Sequence, residues 1–436
     1  DGYPDYYLDR PGAITDGGRA LDNALFDFTT LGDWTDKIYN GGDIVRMMLL
    51  ETPLGGGTGV IEPEEMQRRI DGDLRGWGQA LIGRLLKACL DRDIELLLET
   101  RANELINTEG RITGVRVTKD DVDQTINAER GVVLATGGFE WDEALKTTFL
   151  RGPLTAPASP PTNTGDGLKM ALSAGAGLGN MTSAWWIPTL SMSGSQWPDN
   201  GAPQKEVQRS LPVLIERTLP HSLMVNRQGK RFCNEANNYS ALAGAFQSFD
   251  PATYGYHNLP AYLIMDSQYL RRYPIASVMP GDPLPDWIVE AADLPTLANT
   301  LGVDAEQLET TVSAFNAHAT NAKDPDFGRG ESAYDRFYGD RSRPGAAATL
   351  GSVEVGPFYA VEINMGALGT NGGAKTNGTA QVLNVHGEVM PGLYGAGNVI
   401  SNPTGSVYAG AGGTLGPTLT FGYIAGKSAA QSEHAE

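Results

Sequence analysis

Apolar residues recur at helical spacing in several parts of the chain. In residues 74–91 (DLRGWGQALIGRLLKACL) they return every three or four positions, which predicts an amphipathic helix. Residues 162–179 predict a loop followed by a helix, because Thr and Asp stand at positions where helices start. Helices are also expected over 305–319 and over 415–430, the second of which reads LGPTLTFGYIAGKSAA.

Strands are predicted where apolar residues run together or alternate with polar ones. The run IELLLE (94–99) predicts a short buried strand, and residues 102–117 predict a hairpin whose two alternating runs meet at a Glu-Gly turn. The apolar segment GVVLATGGF (131–139) predicts a strand that ends in small residues. Residues 380–398 predict strand, hairpin and strand, and they also end in small residues.

The amino-acid composition of the middle part of the chain differs from that of the segments on either side. Residues 201–368 are richer in Pro, Tyr and Asp than the flanks, which contain the alternating helices and strands. A segment that interrupts an α/β sequence in this way is typical of an inserted domain. The prediction is therefore an α/β fold in which residues 1–200 and 369–436 form one discontinuous domain and residues 201–368 form a second, inserted domain.

Composition and charge narrow the choice of function. The 436 residues carry a formal net charge of −19, which argues against a nucleic-acid partner. No apolar run reaches the roughly 18 residues that span a bilayer, so no transmembrane segment is expected. Two cysteines, Cys89 and Cys233, and five scattered histidines favour neither a disulfide framework nor a metal site. A cytoplasmic location is the expectation that follows.

Small residues occur at strand or loop ends in three places: LATGG (134–138), TGDG (164–167) and YGAGN (394–398). Glycine at a strand end lets a ligand approach the backbone closely, and ligands of open α/β sheets lie beyond the carboxyl ends of the strands. Each place alone is more typical of an ordinary turn. Together with the glycines of 410–416 they favour a large nucleotide-like ligand, although no strand–GxGxxG–helix fingerprint is present.

The segment NPTGSVYAGAGGTLGP (402–417) places one tyrosine, Tyr408, among residues too small to form a core. A tyrosine is usually a half-buried core residue whose hydroxyl finds a partner, so this setting favours a functional phenol instead. The glycines lead into the helix predicted at 415–430, whose N-terminus offers unpaired N–H groups and a partial positive charge. That end suits the O2 edge of a flavin. The alternative is a glycine-rich helix entry without a ligand.

Segments along essentially the whole chain resemble those of one flavoprotein family. In family order they are YPDY (3–6), GQALIGRLLKA (78–88), GVVLATGGF (131–139), AWWIPTL (184–190), VNRQGKRFCNEANNY (225–239), DFGRGESAYD (326–335), LGTNGGAKTN (368–377), GLYGAGN (392–398) and PTGSVYAGAGGTLG (403–416). The chain resembles the 3-ketosteroid Δ1-dehydrogenases, within the flavoprotein group that includes the fumarate reductase and succinate dehydrogenase flavoprotein subunits.

The resemblance implies a fold and a cofactor, FAD. The discontinuous domain would be a Rossmann-like FAD-binding domain, and the inserted domain an α+β catalytic or capping domain. Family members begin with a strand–GxGxxG–helix unit and a glutamate that holds the ribose, which this sequence lacks. The chain is therefore expected to be an N-terminally truncated copy without its first βαβ unit.

The resemblance also implies a set of site residues. Tyr408 and the backbone N–H of Gly412 would grip the C3 carbonyl oxygen of the substrate, and Tyr239 would remove the proton from C2. Tyr6 would lower the pKa of its neighbour or relay the proton. The expected FAD contacts are Ala102, Ala135, Thr136, Gly137, Gly138, Asp166, Gly397, Asn398, Gly413, Thr414 and Leu415.

The implied activity is the introduction of a 1,2 double bond into a 3-ketosteroid or similar cyclic ketone, by transfer of a hydride from C1 and loss of a proton from C2. The partners would be a small apolar ketone and an unidentified electron acceptor. Two alternatives stay open: a sister flavoprotein that acts at the 4,5 position or on another flat enone, and a truncated, inactive fragment unable to hold FAD.

The fumarate reductase branch is disfavoured on charge, because binding a dicarboxylate needs Arg and His in the site. That branch has His-Thr-Met-Gly-Gly where this chain reads GTNGG at 369–373. It also places an arginine shortly after the GAGN-like strand, where this chain reads VISNPTGSVYAG. An uncharged, tyrosine-lined site suits an apolar ketone.

Overall fold

The computed structural model of the chain describes residues 5, 8–15, 21–38, 44–196, 208–408 and 410–432, with the backbone alone at 194–196 and 208. The α-helices of this part of the chain are α1 Pro63–Asp71, α2 Trp77–Leu90, α3 Glu143–Phe149, α4 Asp166–Ser173, α5 Ala243–Phe246, α6 Ser267–Leu270, α7 Leu294–Leu301, α8 Ala305–Thr320, α9 Ala333–Phe337 and α10 Leu415–Gln431.

The strands are β1 Phe26–Asp27, β2 Leu74–Arg75, β3 Arg101–Thr108, β4 Arg111–Lys119, β5 Val122–Asn127, β6 Val132–Leu134, β7 Leu178–Gly179, β8 Ala184–Gln196, β9 Gln208–Pro212, β10 Ser222–Asn226, β11 Phe249–Asp250, β12 Gly255–Tyr256, β13 Ala261–Asp266, β14 Val289–Ala291, β15 Phe358–Thr370, β16 Gly373–Ala374, β17 Gln381–Leu383 and β18 Val389–Gly395. Short 3₁₀ helices occupy Phe28–Lys37, Leu49–Glu51, Pro53–Gly55, Glu216–Thr218, Gly345–Ala348 and Gly397–Val399.

These elements form two compact units. Unit 1 comprises Asp1–Leu96, Leu190–Asn200 and Val213–Asn364, and unit 2 comprises Leu97–Thr189, Gly201–Pro212 and Met365–Glu436. The boundary after Asn364 lies close to the predicted domain boundary at 368. Residues 1–96 cluster with the middle part of the chain, whereas the predicted 1–200 domain assigned them to the flank.

Contacts within unit 1 explain why its N-terminal part clusters with the middle part. The guanidinium of Arg341 donates from Nη1 to the carbonyl oxygen of Gly56 (3.3 Å). Residues of the 53–58 segment also line the same cleft as residues 337–342. The early segment is thus attached to the middle part of the chain through its backbone.

The core of unit 1 lies between a sheet and two helices. Strand β13 pairs antiparallel with β10 on one side and with β15 on the other. Helices α7 and α8 contribute Leu297, Leu308 and Phe315 to this core, all of them buried. Helix α8 begins where the carboxylate of Asp304 accepts a hydrogen bond from the backbone N–H of Gln307 (2.8 Å), which is an N-cap.

Unit 2 is built mainly from two three-stranded sheets. Strands β3, β4 and β5 form an antiparallel meander. In the other sheet β18 pairs antiparallel with β17 and parallel with β6. The parallel pair places Gly395 opposite Leu134, and the N–H of Ala396 donates to the carbonyl oxygen of Leu134 (2.9 Å). The small-residue segments LATGG and YGAGN therefore leave the sheet at the same edge.

Most of the predicted elements are confirmed. The helices expected within 74–91, 162–179, 305–319 and 415–430 are α2, α4, α8 and α10. The predicted hairpins are β3–β4 and β17–β18, and the strand predicted within 131–139 is β6. Within the described residues, none of the helices combines the length and the apolar character needed to cross a membrane.

The buried strand predicted at 94–99 is wrong. This segment is irregular, and Ile94, Leu97 and Leu98 are about half exposed. Turns bracket it, because Asp93 and Glu99 adopt left-handed φ angles of 53° and 54°. An apolar run of this length forms a strand only where another strand pairs with it. Among the described residues, no strand pairs with 94–99.

Strand β5 was not predicted, and the reason lies in its surroundings. All six residues of Val122–Asn127 are exposed, so the strand lacks the alternation of apolar and polar residues that marks a half-buried strand. The feature that could have indicated β5 is the two-residue turn that precedes it. Asp120 and Asp121 both adopt left-handed φ angles, as hairpin turns of this length require.

Two glycines of α2 provide a matched test of the packing of unit 1. A Cβ at Gly83 would lie 2.7 Å from Cδ1 of Phe26, whereas a Cβ at Gly78 would meet nothing within 4 Å. We expect Gly83→Ala to lower the free energy of unfolding by about 1–3 kcal/mol through overpacking. Gly78→Ala should leave it unchanged or raise it by up to about 1 kcal/mol, since Ala favours helices. Urea denaturation measures both, and equal effects would contradict the packing described.

Candidate active site

The ring of Tyr408 lies against a turn made of glycines. A Cβ at Gly413 would come within 2.8 Å of ring carbon Cε2 of Tyr408, so only glycine allows this approach. Gly412 is exposed, has a φ of +82°, and has nothing within 4 Å of the position a Cβ would take. The turn is closed by the N–H of Gly413, which donates to the carbonyl oxygen of Gly410 (2.9 Å). One side of the backbone thus supports the phenol and another faces open space.

The indole of Trp185 is a second contact of the Tyr408 ring. The two ring centroids are 5.1 Å apart with the planes tilted by 49°, a favourable geometry for an aromatic pair. Trp185 is buried and donates from Nε1 to Oδ1 of Asn398 (3.1 Å). The predicted substrate-binding tyrosine and a predicted FAD contact, Asn398, are therefore linked through one indole.

The LATGG segment combines exposed and packed residues. Ala135 and Thr136 are exposed at the end of β6. Gly137 has a φ of +76°, and a Cβ there would lie 2.5 Å from Oδ1 of Asn163. A Cβ at Gly138 would lie 2.2 Å from Oγ1 of Thr370. Both positions thus need glycine, because side chains of the protein itself occupy the space that a Cβ would take.

A fully buried carboxyl group, Glu140, follows these glycines and was not singled out from the sequence. It accepts hydrogen bonds from Oγ of Ser159 (2.7 Å), from Nδ2 of Asn163 (2.6 Å) and from the N–H of Thr370 (3.2 Å). Burial raises the pKa of Glu140, against the smaller opposing effect of these hydrogen bonds. The residue joins three separate segments of unit 2. The sequence feature that could have drawn attention to it is an acidic residue two positions after the glycines that end an apolar strand.

Asp166 and Ala102, two further predicted FAD contacts, already have partners within unit 2. Asp166 begins α4 and forms a two-pronged ion pair with Arg101, in which Nε and Nη2 each lie 3.0 Å from a carboxylate oxygen. Ala102 lies on β3 opposite Val117 and packs on the core of unit 2. The carboxylate of Asp166 is half-exposed, so one side of it stays accessible.

The start of α10 is formed by predicted FAD contacts. The carbonyl oxygen of Thr414 accepts from the N–H (3.2 Å) and from Oγ1 (2.7 Å) of Thr418. Leu415 is exposed, and the first turn of the helix contains no acidic residue. Gly397 lies close by, since a Cβ there would be 3.4 Å from the side chain of Thr418. The partial positive charge of this helix end is therefore not neutralised within its own first turn.

The structure places the predicted catalytic residues as follows. Tyr408 and Gly412 belong to unit 2, together with every predicted FAD contact. Tyr239 belongs to unit 1 and is buried. Its segment is anchored by Arg231, whose Nη2 lies 2.8 Å from Oε2 of Glu235 and 2.8 Å from Oδ2 of Asp324. Tyr6 lies outside the described residues.

Unit 2 has features that fit a bound flavin nucleotide. Oδ1 of Asn371 is buried and has no hydrogen-bond partner among the described residues, so it is an acceptor that a ligand can use. Exposed small residues at 135–136 and the open side of Gly412 give access to the backbone. The N-terminus of α10 supplies a positive field without a charged side chain. These three features fit a nucleotide ligand.

Comparison with known proteins decides the family. The model of the FAD binding domain family matches residues 8–415. The chain belongs to this family. It is 41% identical to the 4-oxocyclohexanecarboxylate 2-dehydrogenase of Sinomonas cyclohexanicum, over 99% of this chain and 74% of that protein. It is 36% identical to the 3-oxosteroid 1-dehydrogenase of Mycolicibacterium smegmatis, over 97% of this chain and 77% of that protein.

A solved structure supports the same family. The crystal structure of the 3-ketosteroid Δ1-dehydrogenase from Sterolibacterium denitrificans, in complex with 1,4-androstadiene-3,17-dione, superposes with a TM-score of 0.84 at 32% identity. The match covers 99% of this chain and 80% of that one. The resemblance expected from the sequence is confirmed. The chain is an FAD-dependent oxidoreductase that acts on CH–CH groups, and its mixed helix and sheet fold is that of such flavoproteins.

Removal of the buried carboxyl group tests the role of Glu140. Glu140→Ala leaves buried donors without an acceptor, and we expect it to lower the free energy of unfolding by roughly 2–5 kcal/mol. Glu143→Ala is the matched control: Glu143 is 81% exposed, and its partner Lys146 keeps a hydrogen bond to the carbonyl oxygen of Leu154, so the change should cost no more than about 1 kcal/mol. Chemical denaturation followed by circular dichroism measures both variants. Equal stabilities would show that the network contributes nothing.

The raised pKa of Glu140 predicts a pH dependence. A carboxyl whose native pKa exceeds its unfolded value contributes stability that is complete below the unfolded pKa and is lost as pH rises through the native pKa. The difference in unfolding free energy between wild type and Glu140→Ala should therefore shrink as pH rises from about 5 to 8. A difference that grows over this range would contradict the sign of the shift.

Proposed function

We propose that the chain is a dehydrogenase that introduces a double bond next to the carbonyl group of a cyclic ketone. One carbon would lose a hydride and its neighbour, adjacent to the carbonyl, would lose a proton. The observation that carries this proposal is the phenol of Tyr408, held on a glycine turn whose residue Gly412 is exposed and faces open space. The relatives support it, because those named above are dehydrogenases of cyclic ketones.

Tyr408 and Gly412 would polarise the ketone. A phenol O–H and a backbone N–H are both donors, and donors fixed around a carbonyl oxygen stabilise the negative charge that develops on it as the neighbouring C–H loses its proton. Packing against Trp185 and Gly413 holds the Tyr408 ring before a substrate binds. This preorganisation makes the neighbouring C–H more acidic without any charged side chain.

Tyr239 would take the proton. A free phenol has a pKa near 10, so it is a weak base at neutral pH unless its phenolate is stabilised. Tyr6 would supply that stabilisation or relay the proton onward, as the resemblance implies. Burial of Tyr239 keeps bulk water from competing for the proton.

FAD, when bound, supplies the acceptor for the hydride. In this proposal unit 2 corresponds to a Rossmann-like FAD-binding domain, and the middle segment at 201–368 to the catalytic or capping domain. The residues that would hold the cofactor are the predicted contacts at 102, 135–138, 166, 397–398 and 413–415. The end of α10 would face the O2 edge of the flavin and favour negative charge there.

Two classes of cyclic ketone are candidates for the substrate. The 36% identity to a 3-oxosteroid 1-dehydrogenase supports a 3-ketosteroid, with the hydride leaving C1 and the proton leaving C2. The 41% identity to a 4-oxocyclohexanecarboxylate 2-dehydrogenase supports a single-ring ketone that bears a carboxylate. Dehydrogenation at the 4,5 position of a steroid is the sister activity, and identification of the product distinguishes it.

Turnover of the purified, FAD-loaded protein tests the proposal. The assay uses an artificial electron acceptor with 4-oxocyclohexanecarboxylate and, separately, with androst-4-ene-3,17-dione. Tyr408→Phe and Tyr239→Phe should each lower kcat by about 100-fold or more, since each removes a hydroxyl that acts in the transition state. Tyr423→Phe, on the exposed side of α10, is the matched control and should retain full activity.

Each outcome bears on a different part of the proposal. Absence of turnover with both ketones would overturn the activity itself. Full turnover by Tyr239→Phe would show that another group is the base. Full turnover by Tyr408→Phe would remove the carbonyl clamp from the mechanism.

A further inference from the structure

Unit 1 contains a cleft of about 640 Å³ that the proposed mechanism does not use. Pro53, Leu219 and Phe337 form apolar parts of its wall. Arg272 and Arg341 contribute two guanidinium groups, and both side chains are exposed. A cleft of this size accommodates a small organic molecule. Its lining combines an apolar surface with cationic groups.

The arginines of the cleft lack carboxylate partners. In the part of the chain that the structure describes, no carboxylate lies within 4 Å of Arg272 or Arg341. Arg341 donates from Nε to the carbonyl oxygen of Phe337 (3.0 Å) and stacks on that ring, with its guanidinium carbon 4.1 Å from the centroid. These contacts orient the guanidinium without neutralising its charge.

A neutral histidine beside Arg272 leaves the charge of this guanidinium in place. Nδ1 of His221 lies 2.8 Å from the carbonyl oxygen of Ser352 and donates to it, which leaves Nε2 as the acceptor. Nε2 lies 3.4 Å from Nη1 of Arg272 and 3.1 Å from Nη1 of Arg343. Burial lowers the pKa of His221, and the two arginines lower it further. Two guanidinium groups thus converge on an uncharged ring.

Of the two acidic residues of the cleft, only Asp340 offsets part of this charge: burial opposes its ionisation, but hydrogen bonds from Ser342 and Tyr273 hold its pKa below the ordinary value. Asp340 already accepts hydrogen bonds from the hydroxyl of Tyr273 (2.6 Å) and from the N–H (3.0 Å) and Oγ (2.6 Å) of Ser342. Burial raises the pKa of Glu216, which favours its uncharged form. The guanidinium groups therefore retain donors for an anion that enters from outside.

We propose that this cleft binds the carboxylate of a small organic acid, with Arg272 and Arg341 on the carboxylate and the Leu219 and Phe337 surface on an apolar ring. A guanidinium presents paired N–H donors that match the two oxygens of a carboxylate, whereas the apolar wall favours an organic ion over an inorganic one. The inference goes beyond the proposed function, because the cleft belongs to unit 1, whereas Tyr408 and Gly412 belong to unit 2.

Contacts within unit 1 join the cleft to the segment of the proposed base. Arg217 lies between the cleft residues Glu216 and Leu219 and donates from Nη1 to the carbonyl oxygen of Glu235, four residues before Tyr239. Thr218 donates from Oγ1 to the carbonyl oxygen of Tyr338, another residue of the cleft wall (2.6 Å). The wall of the cleft is thus attached directly to the chain that carries Tyr239.

Calorimetric titration of the FAD-loaded protein tests the proposal. The probes are cyclohexanecarboxylate and the neutral cyclohexanecarboxamide. We expect the carboxylate to bind at least about tenfold more tightly than the amide, and Arg272→Gln and Arg341→Gln each to weaken its binding about tenfold or more. Arg271→Gln is the matched control, because the Arg271 guanidinium donates to Ser267 and lies outside this cleft. Equal affinities for both probes, or unchanged binding by both glutamine variants, would overturn the proposal.

Turnover separates failure of this inference from failure of the proposed function. Because the proposed mechanism does not use the cleft, Arg272→Gln should oxidise 4-oxocyclohexanecarboxylate and 4-methylcyclohexanone with the kcat/KM of wild type. If Arg272→Gln and Arg341→Gln bind cyclohexanecarboxylate as tightly as wild type does, and wild type oxidises either ketone, the cleft proposal fails and the function stands. If wild type oxidises neither ketone, the function fails, and the calorimetric result still decides whether the cleft binds a carboxylate.

Discussion

The ring of Tyr408 lies where a Cβ at position 413 would come within 2.8 Å of it, and the ring also contacts the buried indole of Trp185. The phenol is therefore held between a bare backbone and an aromatic ring. This arrangement explains why the segment 402–417 contains so many small residues, which would be unfavourable in an ordinary core. It also leaves the exposed backbone at Gly412 free for a ligand, so one turn provides both support and access.

The buried carboxyl group of Glu140 joins the 159–163 segment of unit 2 to the end of β15 at Thr370. It accepts from Ser159, Asn163 and Thr370, and the glycine at 138 is required because a Cβ there would come within 2.4 Å of Oε2 of Glu140. A buried carboxyl group without a cation among these partners is stable only when its hydrogen bonds are complete. The loop after β6 thus depends on a polar network as well as on the apolar packing of the neighbouring core.

The sequence predicted the regular elements well and the side-chain networks poorly. Helices α2 and α8 followed from apolar periodicity, and the β3–β4 hairpin from alternation around a Glu-Gly turn, because local pattern determines such elements. The segment 94–99 failed because strand formation needs a partner, which no local pattern reveals. Tyr408 was singled out because its neighbours are too small to form a core. Glu140, Arg272 and Arg341 were missed because contacts that give them a role come from residues far away in the sequence. Glycine is needed at 137 and 138 because the side chains of Asn163 and Thr370 occupy the space that a Cβ would take.

The central claim is that Tyr408 and Gly412 polarise a ketone so that the adjacent C–H becomes acidic. The most direct test is the exchange of these hydrogens for deuterium in D₂O, followed by NMR on 4-oxocyclohexanecarboxylate with the FAD-loaded protein and no electron acceptor. The account predicts that wild type accelerates the exchange and that Tyr408→Phe returns it to nearly the rate in buffer. Equal acceleration by wild type and Tyr408→Phe would contradict the account.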